Sequence, residues 1–229
     1  MPKLKIIEEF DKTHNYLERM RQRYYKLINV FVIYEQIKKL LAPNVVGRKV
    51  AISNKKTADE FNYLFNAIID ASMAYLLIEL YKFFDSNKKA LSFSNLLKFM
   101  DKNINKIQKK HFLEYHKNKG RDILNDSFKR YKSINKKTIN SIKKKINREK
   151  KFIDSLRRYR NQSVAHDDFN KEKIILIVKD IRRALKLIKT IMDILNKKID
   201  NAMYIDDNFQ KYPKEQIEFL FLQLKKTNK

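Results

Sequence analysis

The sequence predicts an all-α fold, an antiparallel bundle of helices. Only two glycines and three prolines occur among 229 residues, which is too few for the many turns of a β-sandwich or an α/β sheet. Apolar residues also recur at the 3.6-residue period of a helix along most of the chain. Hydrophobic residues make up 43% of the chain, which is enough for a core and argues against wholesale disorder. We expect a single domain over residues 1–229.

The first two predicted helices have clear ends. The first runs from residue 3 to about residue 41 and stops in the segment "APNVVG", where Pro43 and Gly47 break it. The second helix carries an apolar stripe with helical spacing, which predicts one buried face, and it ends near Asp85. The stripe consists of Phe61, Leu64, Phe65, Ile68, Ile69, Leu76, Leu80 and Phe83.

The middle of the chain is also predicted to be helical. The segment "LSFSNLLKFMDKNI" restarts a helix with Ser92 or Ser94 as its N-cap. Beyond a break at Gly120, residues 121–160 predict one long basic helix, interrupted around Ser133–Asn135. The inward-facing residues of the restarted helix are Leu96, Leu97, Met100, Ile104 and Ile107.

Two helices are predicted near the C-terminus. The first has a continuous apolar seam, and the second is short and runs from Pro213 to Leu224, with proline at its start as expected. The short helix belongs to an extension over residues 201–229. The seam consists of Ile174, Ile177, Ile181, Leu185, Ile188, Met192, Leu195 and Ile199.

Charge and composition limit the class of partner. The net charge of +26 predicts binding to polyanions such as RNA, although AT-rich coding would also raise the lysine content. The two isolated glycines exclude a glycine-rich phosphate loop. The absence of cysteine excludes disulfides and thiolate zinc sites. The chain start lacks a signal sequence, and the apolar runs 27–34 and 71–80 are too short to span a bilayer. We expect a soluble, cytoplasmic protein without a membrane partner.

The segment "RYRNQSVAHDD", residues 158–168, holds the candidate site. In a continuous helix, Arg160 and His166 would point about 120° apart and lie about 9 Å apart along the axis, so they would not share one phosphate. Asparagine and serine compete for backbone hydrogen bonds in a helix, so we expect a turn here. Asp167 or Asp168 would then cap the next helix and place His166 beside an anion-binding helix N-terminus. The alternative is a surface histidine at a helix start.

Two stretches resemble HEPN domains. Residues 160–166, "RNQSVAH", match the pattern of arginine, polar residue, short spacer and histidine in that superfamily, and the following aspartates resemble its abortive-infection AbiU type. Residues 74–100 resemble the same family's helix, aspartate, polar loop and helix restart, with Phe93 where leucine is usual. The resemblance covers roughly residues 60–200.

The resemblance implies a role for each site residue. His166 would be the general acid and base, Arg160 would hold the scissile phosphate, and Asn161 would orient the phosphate or the imidazole. Asp168 would cap the following helix or hydrogen-bond His166, and we favour the cap. Many HEPN proteins are metal-independent endoribonucleases that act as homodimers with a composite active site, so the resemblance implies no cofactor and no metal.

Other candidate residues carry weaker signals. Arg157 and Arg158 are candidates for RNA contact, although a basic helix end is usually solvated. His111 and Glu114 share a helix face, but the partner halves of a two-metal motif are missing from the sequence. The lysine run over residues 136–151 either contacts the phosphates along an RNA strand or is simply the solvent-exposed side of a helix.

The sequence therefore predicts a metal-independent endoribonuclease that acts as a toxin or abortive-infection effector on RNA. The alternative is a catalytically silent HEPN-type module that binds nucleic acid or a nucleotide within a defence or toxin–antitoxin complex. A third alternative is a structural helical adaptor. A cognate antitoxin protein is a further expected partner.

Overall fold

The computed structural model of the chain describes residues 2–119, 132–164, 177–199 and 211–227. These residues form ten α-helices and one 3-10 turn, and the described part of the chain contains no strand. The predicted all-α fold is therefore confirmed. The helices are α1 (Pro2–Leu40), α2 (Pro43–Val46), α3 (Arg48–Glu60), α4 (Asn62–Phe84), α5 (Phe93–Lys102), α6 (Lys109–Asn118), α7 (Lys136–Arg148), α8 (Lys150–Val164), α9 (Val178–Ile199) and α10 (Lys211–Thr227).

The helices belong to two compact units. Unit 1 comprises the described residues of Met1–Tyr24 and Leu80–Ile205, and unit 2 comprises those of Tyr25–Glu79 and Asp206–Lys229. Helices α1 and α4 each contribute residues to both units. That residues 1–229 form a single domain stays a prediction.

Unit 1 has an aromatic and aliphatic core. In this unit α7 packs against α5, α8 and α9. Ser92 is the N-cap of α5, because its Oγ accepts a hydrogen bond from the backbone N–H of Asn95 at 3.4 Å. Phe93 follows the cap, is fully buried, and packs against Phe83 and Phe84 with ring centroids 5.7 and 6.1 Å away. Of the two predicted caps, Ser92 is thus the correct one.

Unit 2 is built partly by helices that the sequence did not predict. Residues 43–60 form α2 and α3, and α3 packs against α10. The Asn54 side chain donates a 2.6 Å hydrogen bond to the carbonyl of Leu40 and so satisfies the end of α1. The cluster at the centre consists of Ile37, Ala58, Phe65, Ile217 and Phe221. Residues from the 37–65 segment and from α10 thus form one core.

The long helix predicted over residues 121–160 is two helices in its described part. Residues 132–135 are not helical, as predicted, but a second break separates α7 from α8 at Glu149. The Glu149 carboxylate forms a 2.6 Å ion pair with Arg183 of α9. Because the basic sequence is uniform on both sides of Glu149, its local pattern did not reveal the break.

The predicted buried faces are confirmed for most positions. On α9, the six seam residues from Ile181 to Ile199 are buried, whereas Ile177 is 50% exposed. On α4, Phe65, Leu76, Leu80 and Phe83 are buried, but the prediction for Leu64 is wrong because it is 44% exposed. The remaining seam residue, Ile174, lies outside the described residues.

Helix α4 is longer than the apolar runs seen in the sequence. This helix has 23 residues. Its most apolar stretch of 18 residues has a mean hydropathy of 1.4, and 28% of that stretch is buried. By length and composition alone α4 could cross a membrane, although the apolar runs 27–34 and 71–80 are each too short to do so. One such helix is weak support for a span, because core helices of soluble proteins have the same composition.

Replacing Asn196 by leucine is expected to stabilise the protein by about 1–3 kcal/mol. Asn196 is fully buried on α9, and neither polar atom of its side chain has a hydrogen-bond partner among the described residues. Leucine has the same number and branching of side-chain heavy atoms as asparagine and leaves no unsatisfied polar group. Urea unfolding measures the change. Asn140→Leu, at an exposed position of α7, should change stability by less than about 0.5 kcal/mol, and a loss of stability in Asn196→Leu would contradict this account.

Candidate functional site

Helix α8 carries Arg160 to the surface. Phe152 and Leu156 lie four residues apart and are both buried, so they define the inward face of the helix. Arg160 lies four residues further along this face, since positions i and i+4 are neighbours on a helix, and it is exposed. Arg160 is therefore the exposed residue that follows the buried residues on this face of α8.

The predicted turn within residues 158–168 is wrong for its first part. Residues up to Val164 are helical. The Asn161 Oδ1 accepts a 3.1 Å hydrogen bond from Nη1 of Arg160, and both side chains are exposed. Because the Asn161 side chain is engaged in this way, it does not compete for the backbone hydrogen bonds of the helix. His166 and Asp168 lie outside the described residues.

The end of α4 meets Arg160. The guanidinium carbon of Arg160 lies 5.9 Å from the centre of the Tyr81 ring, a cation–π geometry that contributes about 0.5–1 kcal/mol at exposed sites. The Tyr81 hydroxyl donates a 3.3 Å hydrogen bond to Oδ1 of Asp85, one helical turn further on. Tyr81 is buried, so its ring is a fixed support for the arginine.

The electrostatics of Tyr81 show which charges surround it. Burial raises the pKa of Tyr81, the Asp85 charge and hydrogen bond raise this pKa further, and the charges of Arg157 and Arg160 oppose the rise. The phenol is therefore neutral at neutral pH and remains a donor to Asp85. Arg157 and Arg160 both place positive charge near this ring, and we call Tyr81, Asp85, Arg157 and Arg160 the Arg160 cluster.

The predicted site residues of α8 do not all share one face. Arg160 lies over the Tyr81 ring, Asn161 contacts Arg160, and the charge of Arg157 acts on Tyr81. Arg158 is exposed and lies two positions after Leu156, which is a rotation of about 200° around the helix. It therefore points away from the cluster.

Tyr81 and Asp85 were not predicted as site residues. The polar loop after α4 begins at Asp85, whose Oδ1 also accepts a 2.9 Å hydrogen bond from the backbone N–H of Asn87. Their four-residue spacing at the end of an apolar helix was the available signal, and both lie in the 74–100 stretch that carries the resemblance. Sequence spacing alone does not reveal that this helix end meets α8.

His111 has a structural position. It is buried on α6, and its Nδ1 accepts a 3.0 Å hydrogen bond from the backbone N–H of Gln108, which completes a capping box. Among the described residues, no group of three His, Asp or Glu side chains is arranged to hold a metal ion.

Protonation of His111 is expected to destabilise the protein in mild acid. Burial lowers the pKa of His111 below its usual value of 6.5, the charge of Lys110 lowers it further, and Glu114 opposes this. Because the pKa is lower in the folded state, the contribution of the neutral ring is complete above pH 6.5 and is lost as the pH falls below it. Glutamine at this position also completes a capping box but does not titrate. The unfolding free energy of His111→Gln, followed from pH 7.5 to 5.5, should therefore fall less than that of the wild type, and an equal fall would contradict this assignment.

The fold and the cluster define a class: an all-helical protein that presents arginines at a helix end beside an aromatic and a carboxylate side chain. The family model of AbiU2, which is of HEPN type, matches residues 4–217. The chain therefore belongs to the HEPN-type AbiU2 family, an abortive-infection-associated group. The match extends beyond residues 60–200, on which the sequence resemblance rested. Neither the comparison with curated proteins nor that with solved structures gave a match. Family and fold together support a soluble protein.

Proposed function

We propose that this protein is a metal-independent endoribonuclease that acts in abortive infection. The observation that carries the proposal is the position of Arg160, exposed at the end of α8 and supported by the Tyr81 ring. One of its donors binds Asn161, and no carboxylate of the described chain forms an ion pair with it. The remaining donors of its planar fork suit a phosphate.

The proposed reaction is an intramolecular transesterification of RNA. His166 removes the proton from a ribose 2′-hydroxyl, the 2′-oxygen attacks phosphorus, and the bond to the 5′-oxygen breaks. The leaving oxygen takes a proton from an imidazolium, which leaves a 2′,3′-cyclic phosphate and a 5′-hydroxyl. Arg160 stabilises the additional negative charge on the phosphorane, and general acid–base catalysis by an imidazole contributes about 10²–10⁴-fold. Asn161 orients the phosphate through its contact with Arg160.

The remaining parts of the proposal concern the assembly. The active protein is a cytoplasmic homodimer in which the two copies of the site face each other, its substrate is RNA, and a cognate antitoxin protein holds it inactive. Arg157 and Arg158, both exposed on α8, are the auxiliary candidates for RNA contact.

The experiment compares the wild type with His166→Ala, measuring RNA cleavage and RNA affinity separately. The proposal expects cleavage to be lost in the variant while fold and affinity are retained. Unchanged cleavage in the variant would overturn the assignment of His166. A protein that binds RNA with a steep salt dependence but never cuts it would be the silent binding module, and one that does neither would be an adaptor.

A further inference from the structure

A basic pocket lies in unit 1 beside the loop that begins at Asp85. Its volume is about 530 Å³, which is within the usual range for pockets that hold small ligands. The walls come from α1, from residues 88–91 of the loop and from α5. The residues that matter for the argument are Lys12, Tyr16, Arg19, Lys88, Lys89 and Phe99, and we call this site the loop pocket.

The charge of the loop pocket is strongly positive. Four of its lining side chains are cations, and none of its described lining residues is acidic. Lys12 forms a 2.6 Å ion pair with Glu8, whereas Arg19, Lys88 and Lys89 form no ion pair with any carboxylate in the described ranges. Three cations are therefore available to an anionic ligand, and a phosphate is the anion that such a group binds best.

The walls of the loop pocket are fixed by hydrogen bonds. The Tyr16 hydroxyl accepts from the backbone N–H of Ser92 at 2.9 Å and donates to the carbonyl of Ala90 at 3.0 Å. The Asn95 amide donates to the carbonyls of Asn87 and Ala90 at 2.6 and 2.8 Å, and Arg23 donates to the carbonyl of Leu91 at 2.8 Å. A pocket held in this way loses little entropy when a ligand binds.

The chemistry of the walls suits a nucleotide rather than a bare phosphate. Phe99 is half-buried in the wall, and an aromatic ring of this kind is a stacking surface for a base of any identity. Cations that follow the phosphates beside such a ring are the usual arrangement for single-stranded nucleic acid. The loop pocket offers no glycine-rich loop, so its phosphate contacts depend on side chains.

The loop pocket is close to the Arg160 cluster along the chain. Asp85 lies at the cluster and Lys88 lies in the pocket, and three residues span at most about 11 Å. We propose that the loop pocket binds a nucleotide of the same single-stranded RNA whose neighbouring phosphate lies at Arg160. That the polymer is also cut rests on the proposed function, but its binding to the loop pocket does not.

The test measures binding without cleavage. A single-stranded RNA with 2′-O-methyl groups cannot undergo transesterification, and its affinity is measured against salt concentration. The pocket variant is Arg19→Ala with Lys88→Ala and Lys89→Ala. The matched control is Arg48→Ala with Lys49→Ala and Lys55→Ala, which removes the same charges from exposed positions of α3 in unit 2.

The slope of log Kobs against log salt should be smaller in magnitude by about 0.7–1.4 for the pocket variant, because a nucleotide within a strand offers one or two phosphates and each lost contact on a single strand counts about 0.7. The control should keep the wild-type slope. Equal slopes in both variants, whether lowered or unchanged, would overturn the proposal. Adenosine monophosphate that binds as tightly as the RNA would assign the loop pocket to free nucleotides and overturn it too. If the wild type never cuts RNA but the slopes differ as expected, the loop pocket stands and the nuclease proposal fails.

Discussion

Arg160→Ala is expected to lower the rate of RNA cleavage by about 10²–10³-fold, the usual effect of removing one donor that stabilises charge in a transition state. Arg160 is exposed and lies over the Tyr81 ring without an ion pair in the described part of the chain. Its removal should therefore leave the fold intact and lower the unfolding free energy by no more than about 1 kcal/mol, the contribution of the cation–π contact. Single-turnover cleavage of one defined RNA measures the rate.

Two variants control this result. Arg160→Lys retains the positive charge but loses the planar fork, so its rate should lie between those of the wild type and Arg160→Ala. Arg48→Ala removes an arginine from an exposed position of α3 and should cut RNA at the wild-type rate. If Arg160→Ala retained the wild-type rate, the phosphate contact assigned to Arg160 would be wrong.

Phe93→Ala is expected to destabilise the protein by about 3–5 kcal/mol, the usual cost of truncating a buried phenylalanine. Phe93 is fully buried and contacts Phe83 and Phe84 at the end of α4. Because it follows the Ser92 cap, it also links the start of α5 to that helix end. Equilibrium unfolding in urea measures the loss, and circular dichroism reports whether the helices survive.

The matched comparison for Phe93 uses two variants. Phe219 is 59% exposed on α10, so Phe219→Ala should cost no more than about 0.5 kcal/mol. Phe93→Leu refills part of the space and should cost less than the alanine variant. A Phe93→Ala protein as stable as Phe219→Ala would show that this aromatic contact does not support the core.

The parts of the fold that depend on local pattern could be predicted from the sequence. Helix α9 has a regular seam and α5 has a serine cap, so the buried residues of both could be predicted. Helix α3 has few large apolar residues: its buried positions are Ala51, Asn54, Thr57 and Ala58. Because that face is small and polar, the hydrophobic period did not reveal it.

The candidate site could be predicted only in part. Arg160 and Asn161 carry the motif and were found from it, but the continuation of α8 to Val164 was not predicted, because asparagine and serine in this segment favour a turn by their local chemistry. Tyr81 lies 79 positions before Arg160 in the chain, and its contact with the guanidinium depends on the packing of unit 1. Neither periodicity nor spacing encodes that contact.

The arrangement around Asp85 connects the two proposed functions of unit 1. One oxygen of Asp85 accepts hydrogen bonds from the Tyr81 hydroxyl and from the backbone N–H of Asn87. The same carboxylate therefore belongs to the Arg160 cluster and fixes the start of the loop. Lys88 and Lys89 follow within this loop and line the loop pocket. An RNA strand that contacts Arg160 would therefore meet a second positively charged surface close by.

The most direct test of the account is cleavage of a defined RNA by the wild-type protein in EDTA, beside the same RNA with 2′-O-methyl groups. We predict that the unmodified RNA is cut to products with 2′,3′-cyclic phosphate and 5′-hydroxyl ends, and that the methylated RNA stays intact. No cleavage of any RNA by the folded protein, or equal cleavage of both RNAs, would contradict the central claim.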